Sequence, residues 1–132
     1  MKTIIMLALV FISVPLFAKE ADKKNNVSAT QFTPPTSFLF IRGHKQGKNQ
    51  AVTWGMNNNS GIIHFIVERT YEDPYDPNSV WQTVGIIPST PLSPIFKLID
   101  TPVLPGTLNY RVIAVMNNNN TIVSDLYTIY IQ

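Results

Sequence analysis

The 132-residue chain carries ten Lys and Arg against eight Asp and Glu, with 45% hydrophobic residues, 14% charged residues, ten prolines, six glycines and no cysteine. That length admits one small globular domain and excludes a multidomain enzyme, and a net charge of only +2 leaves no electrostatic footprint for nucleic acid or another polyanion. Without cysteine there is no disulfide framework, thiolate zinc site, thiol nucleophile or Cys-linked lipid anchor.

Met1-Lys2-Thr3 precedes an apolar run from Ile4 to Phe17 broken only by Ser13 and Pro15, and polarity returns abruptly at Ala18-Lys19-Glu20. This is the pattern of a secretory signal peptide over residues 1–18, cleaved after the small residue Ala18. A run of about fourteen residues is too short for the ~20 that cross a bilayer as a helix, so no stable membrane anchor is expected. The protein is expected to be secreted, periplasmic or extracellular, and export without cysteine fits a bacterium better than a eukaryote. Residues 19–36, with Asp22-Lys23-Lys24-Asn25-Asn26 and Pro34-Pro35, read as a flexible spacer ahead of a folded domain over residues 37–132.

From Ser37 onward, short runs rich in Val, Ile, Phe, Tyr and Thr are bounded by Gly, Pro, Asn or Asp, the pattern of antiparallel β structure. Strands are expected at about Ser37 to Arg42, Gln50 to Trp54, Ile62 to Thr70, Val80 to Ile87, Ile95 to Asp100, Leu108 to Met116 and Thr121 to Ile131. About seven strands in a domain this small predict an all-β, two-sheet antiparallel sandwich. Pro74, Pro77, Pro88, Pro91, Pro94, Pro102 and Pro105 all fall between the runs, where a missing N–H breaks no ladder.

Val52-Thr53-Trp54, Phe65-Ile66-Val67-Glu68-Arg69-Thr70, Trp81 to Gly85, and Leu104-Pro105-Gly106-Thr107 leading into Tyr110 to Val115 occur in a fixed order. Together they resemble the fibronectin type III family, an immunoglobulin-like sandwich, and are similar to its modules in secreted Bacteroidetes-like proteins. The resemblance implies a core Trp54 on the second strand and a tyrosine corner in which the Tyr110 hydroxyl returns to the backbone of the preceding turn. It departs in the Asn-rich segment Met116 to Asn120 and in the enlarged loop Glu72 to Asn78.

Catalysis needs groups that converge, and the two histidines, His44 in an Arg42-to-Lys48 turn and His64 opening the third strand, lie on separate elements without a motif. Asp100 is expected to close the following turn through its side chain, leaving a general acid without a partner. Glu72, Asp73, Asp76 and Asn78 offer oxygen ligands for a cation such as Ca²⁺, but Pro74, Pro77 and the spacing favour ordinary Asx turns. No metal, cofactor or enzymatic activity is therefore expected.

Two binding surfaces remain. Asn57, Asn58 and Asn59 in one loop and Asn117, Asn118, Asn119 and Asn120 in another belong at the same pole of the resembled topology, an amide-rich tip able to read peptide backbone or sugar hydroxyls. Strand alternation turns Phe65, Val67, Tyr110, Val112 and Ala114 inward with Trp54, and Ile66, Ile113 and Val115 outward, beside a final strand carrying Tyr127 and Tyr130. An exposed apolar cluster of that kind marks a partner interface. The expected function is a non-catalytic binding or scaffolding module of the cell envelope or extracellular space that recognises a protein partner. The alternatives are carbohydrate binding, with Tyr71, Tyr75, Trp81, Tyr127 and Tyr130 as candidate aromatics, and protease inhibition through the Pro88 to Pro94 loop.

Overall fold

The computed structural model describes residues 32–132, so the expected signal peptide and spacer residues 19–31 lie outside the described residues. The described residues form eight strands: β1 (Phe38–Gln46), β2 (Asn49–Met56), β3 (Ile62–Thr70), β4 (Gln82–Pro88), β5 (Ile95–Asp100), β6 (Gly106–Met116), β7 (Thr121–Val123) and β8 (Tyr127–Ile131). They make two antiparallel sheets, β1-β2-β5 and β4-β3-β6, with both β7 and β8 pairing the free side of β6. The expected two-layer sandwich is the fold observed.

Period-two alternation places the core. Val52, Trp54 and Met56 on β2 and Phe96 and Leu98 on β5 face Phe65 and Val67 on β3 and Leu108, Tyr110, Val112 and Ala114 on β6, all buried. At the centre the Phe65 ring meets Trp54 edge-on at 5.5 Å and Phe96 at 4.4 Å, while Trp54 stacks on Phe96 at 6.0 Å. Each such ring contributes roughly 3 kcal/mol of transfer free energy, so this aromatic trio is the main clamp between the sheets.

The strand boundaries differ from expectation in three places, each for a local reason. β1 continues through His44 to Gln46, because Gly47 at φ 61° supplies the left-handed backbone that a tight hairpin needs. His44 is therefore an exposed strand residue opposite Ala51, and the expected Arg42-to-Lys48 turn shrinks to its last residues. The final run breaks into β7 and β8 because the Ser124 hydroxyl, in place of a strand carbonyl, accepts the Val112 N–H at 2.9 Å. Val80 and Trp81 belong to the β3–β4 loop, with β4 starting at Gln82.

Gly43 explains a fourth difference. A Cβ there would lie 2.2 Å from the Tyr127 ring, so the missing side chain is what lets Tyr127 close over β1. Tyr127 then stacks on Tyr110 with centroids 6.4 Å apart and packs against the core, so it does not share the outward surface expected for it.

Candidate functional site

The β2–β3 and β6–β7 loops meet at one pole of the sandwich, where the Asn117 N–H donates to the Gly61 carbonyl at 2.8 Å. The two asparagine groups are thus brought together, but they have different local roles. Asn57 accepts the Ser37 N–H at 2.8 Å and donates to the Pro35 carbonyl at 2.7 Å. Asn58 accepts from the Thr36 hydroxyl and donates to the Pro34 carbonyl, and Asn59 donates to the carbonyls of Thr90 and Ser93. These three amides strap the Pro34–Ser37 segment and the β4–β5 loop onto the domain. Asn117, Asn118, Asn119 and Asn120 stay exposed; Asn119 takes the left-handed turn position at φ 65°, and Asn118 accepts the Asn120 N–H at 3.0 Å.

On the outer face of the larger sheet, Ile66 and Ile113 are register partners, and the row extends to Ile86 on β4 and Val123 on β7. The end members are 58% and 52% exposed, while Ile66 and Ile113 are half-buried between them. With strands about 4.8 Å apart, this is an apolar stripe roughly 14 Å long across four strands. Tyr130 is exposed, but it pairs with Thr107 near the opposite end of β6 and stands away from the stripe.

The opposite pole holds the buried charges. Asp100 follows Phe96 and Leu98 in inward parity, so its carboxylate enters the space between the sheets and the residue is buried. Its two oxygens accept from Arg69 Nη1 at 2.8 and 2.7 Å, and one also accepts the Tyr110 hydroxyl at 2.7 Å. Burial first, then the Asp100 carboxylate, push the Tyr110 phenol above its ordinary range, so it remains a neutral donor. This corrects two expectations. Asp100 does not close the β5–β6 turn, and the Tyr110 hydroxyl does not return to it; the Tyr71 hydroxyl takes that place, accepting the Leu104 N–H at 2.9 Å.

The acidic loop closes on itself. Glu72 accepts the Val80 N–H at 2.8 Å, Asp73 the Tyr75 N–H at 3.0 Å and Asp76 the Asn78 N–H at 2.8 Å, the Asx-turn use of carboxylates. His44 and His64 lie in different sheets and are not brought together. Beside the loop, Arg69, Tyr71, Glu72, Val80, Trp81 and Gln82 line a cleft of about 360 Å³. Tyr71 and Trp81 were among the candidate aromatics, whereas Arg69 and Gln82 were not singled out as functional. Their placement depends on Asp100, 31 residues from Arg69, a separation that leaves no local signal.

No family model and no curated protein matches this chain. Solved structures do resemble its fold. Pectate lyase PelI from Erwinia chrysanthemi, solved with tetragalacturonic acid, matches with TM-score 0.54 and 18% identity over 72% of this chain and 28% of that one. Pectate lyase Pel3 from Pectobacterium carotovorum matches with TM-score 0.54 and 15% identity, over 72% and 27%. OgpA from Akkermansia muciniphila matches with TM-score 0.54 and 11% identity, over 76% and 28%. At these identities the likeness is one of fold, and this chain spans little more than a quarter of each of those proteins.

Proposed function

We propose that the protein is a secreted, non-catalytic binding module of the fibronectin type III kind that recognises a protein partner through the outer face of its larger sheet. The strand order β1-β2-β5 against β4-β3-β6 with β7 and β8, together with the core positions of Trp54 and Tyr110, supports the family reading. The observation that carries the function is the apolar stripe Ile86, Ile66, Ile113 and Val123, which lies across regular strands and so presents a rigid surface. The matched proteins are more than twice as long, which supports the reading of an accessory domain rather than a catalytic one. The Asn117 to Asn120 turn is a secondary contact in this proposal, because Asn57 to Asn59 already hold the fold together.

The β4–β5 loop turns at Pro91 and Leu92 and is strapped from within by Asn59, which favours partner recognition over the extended presentation an inhibitor loop requires. Pull-down from bacterial envelope extract with the purified protein tests the proposal. Ile66→Lys and Ile113→Lys are expected to abolish capture of the partner that the parent protein retains, with unchanged circular dichroism. Equal capture by both variants would refute the assignment of the face.

A further inference from the structure

The cleft between the end of β3 and the start of β4 has features that the stripe lacks. Its floor is rigid: Arg69 is fixed by Asp100, and its Nε donates to Gln82 Oε1 at 3.1 Å. That bond orients the Gln82 amide, because only its oxygen can accept from the guanidinium, and it leaves the NH₂ group facing away from Arg69. Glu72 uses Oε2 for the Val80 N–H, and the Tyr71 oxygen accepts the Leu104 N–H. Among the described residues, Arg69 Nη2, Gln82 Nε2, Glu72 Oε1, the Tyr71 O–H hydrogen and Trp81 Nε1 have no protein partner. Donors and an acceptor thus stand together around one concave surface.

Trp81 is held from behind. The Arg111 guanidinium lies 4.0 Å from its ring centroid and is pinned by Glu68, with Nε and Nη2 both 2.7 Å from one carboxylate oxygen. The guanidinium occupies one face of the indole, and Trp81 also lines the cleft together with Arg69, Tyr71 and Gln82. The charges also decide the class of ligand. Asp100 neutralises Arg69 and Glu68 neutralises Arg111, which leaves Glu72 as the uncompensated charge on the wall and makes an anion unwelcome.

From this arrangement we propose that the Tyr71–Trp81 cleft is a second binding site, separate from the Ile66 face, that takes a neutral saccharide unit of a glycan. The apolar face of a pyranose ring lies against the indole, and its hydroxyls, each both donor and acceptor, meet the Gln82 amide, Arg69 Nη2 and Glu72. A cleft of about 360 Å³ is at the small end of ligand sites, which suits one or two sugar rings bound weakly.

The chain's two tryptophans supply the test. Trp54 is fully buried and reports the fold, whereas Trp81 is half-buried and reports the cleft. Affinity gel electrophoresis of the protein uses four neutral polysaccharides, hydroxyethylcellulose, xylan, galactomannan and mixed-linkage β-glucan, with polygalacturonate as the anionic probe. At least one neutral polymer is expected to retard the protein, and its oligosaccharide to change the Trp81 emission. Trp81→Ala and Gln82→Ala are each expected to weaken retardation about tenfold, the effect of losing one ring or amide contact, while the Trp54 emission stays as in the parent. No retardation by any neutral polymer, tighter binding of polygalacturonate, or retardation unchanged in both variants would each overturn the proposal. Ile66→Lys leaves this retardation intact, so the two binding proposals fail independently.

Discussion

Replacing Asp100 by Asn removes one charge from a buried cluster and leaves its shape almost unchanged. In the folded protein the Asp100 side chain is 4% exposed and that of Arg69 17%. Removing one partner of a buried pair costs about 3 to 5 kcal/mol, because the remaining charge loses its counterion and is still shielded from water. Arg69 keeps its bond to Gln82, and an Asn oxygen still accepts one hydrogen bond, so the expected loss is at the lower end, about 3 kcal/mol. For a domain of this size that lowers the thermal midpoint by roughly 12 to 20 °C. Urea titration and calorimetry of Asp100→Asn measure it. A companion variant, Asp100→Leu with Arg69→Met and Tyr110→Phe, removes all three polar partners together and is expected to lose less than the single substitution, since no buried charge is left unpaired. A loss under about 1 kcal/mol for Asp100→Asn, the value of an exposed pair, would refute the reasoning.

Tyr110→Phe deletes the other bond to Asp100 and alters the response to alkali. The folded protein holds the Tyr110 phenol protonated above its ordinary range, so the unfolded chain releases that proton first; stability from this group is complete below pH about 10 and falls above it by about 1.4 kcal/mol per pH unit. Urea midpoints between pH 8 and 11 are expected to fall less steeply in Tyr110→Phe than in the parent, and identical slopes would exclude this role. Asn59→Ala removes the amide that bonds the carbonyls of Thr90 and Ser93. The expected result is about 1 kcal/mol of lost stability and faster proteolytic cleavage near Leu92, which is 92% exposed; cleavage at the parent rate would show that the amide does not brace the loop.

The strands and the core were legible because their signal is local. Trp54, Phe65, Val67, Tyr110, Val112 and Ala114 alternate with polar or outward residues at period two, and burial follows from that alternation. The turns were less legible. Gly47 and Gly43 look alike in sequence, yet one makes a left-handed hairpin turn and the other makes room for the Tyr127 ring across the sandwich. The outward placement of Ile66 and Ile113 was readable from parity, but their extension into a stripe with Ile86 and Val123 needed the strand register.

Polar roles were the hardest to read, because a polar side chain takes whichever partner the fold delivers. Asp100 and Tyr110 were each expected to bond the turn between β5 and β6, and instead they bond each other. Asp100 joins Arg69 from another sheet, and Tyr71 reaches a backbone N–H 33 residues away. Asn57, Asn58 and Asn59 looked available for a ligand and are engaged with carbonyls of segments more than 20 residues distant.

The amino-acid sequence alone therefore determined the all-β class, the positions of most strands and the identity of the buried face. Hydrophobic alternation and proline and glycine punctuation act over a few residues, and no tertiary contact is needed to read them. Tertiary structure alone decided which charges cancel, which amides are engaged and which aromatic rings share a cleft. Arg69, Trp81 and Gln82 acquire their arrangement only when β3, β4 and β5 converge at one pole, and the pairing of distant segments depends on the packing of the whole sandwich.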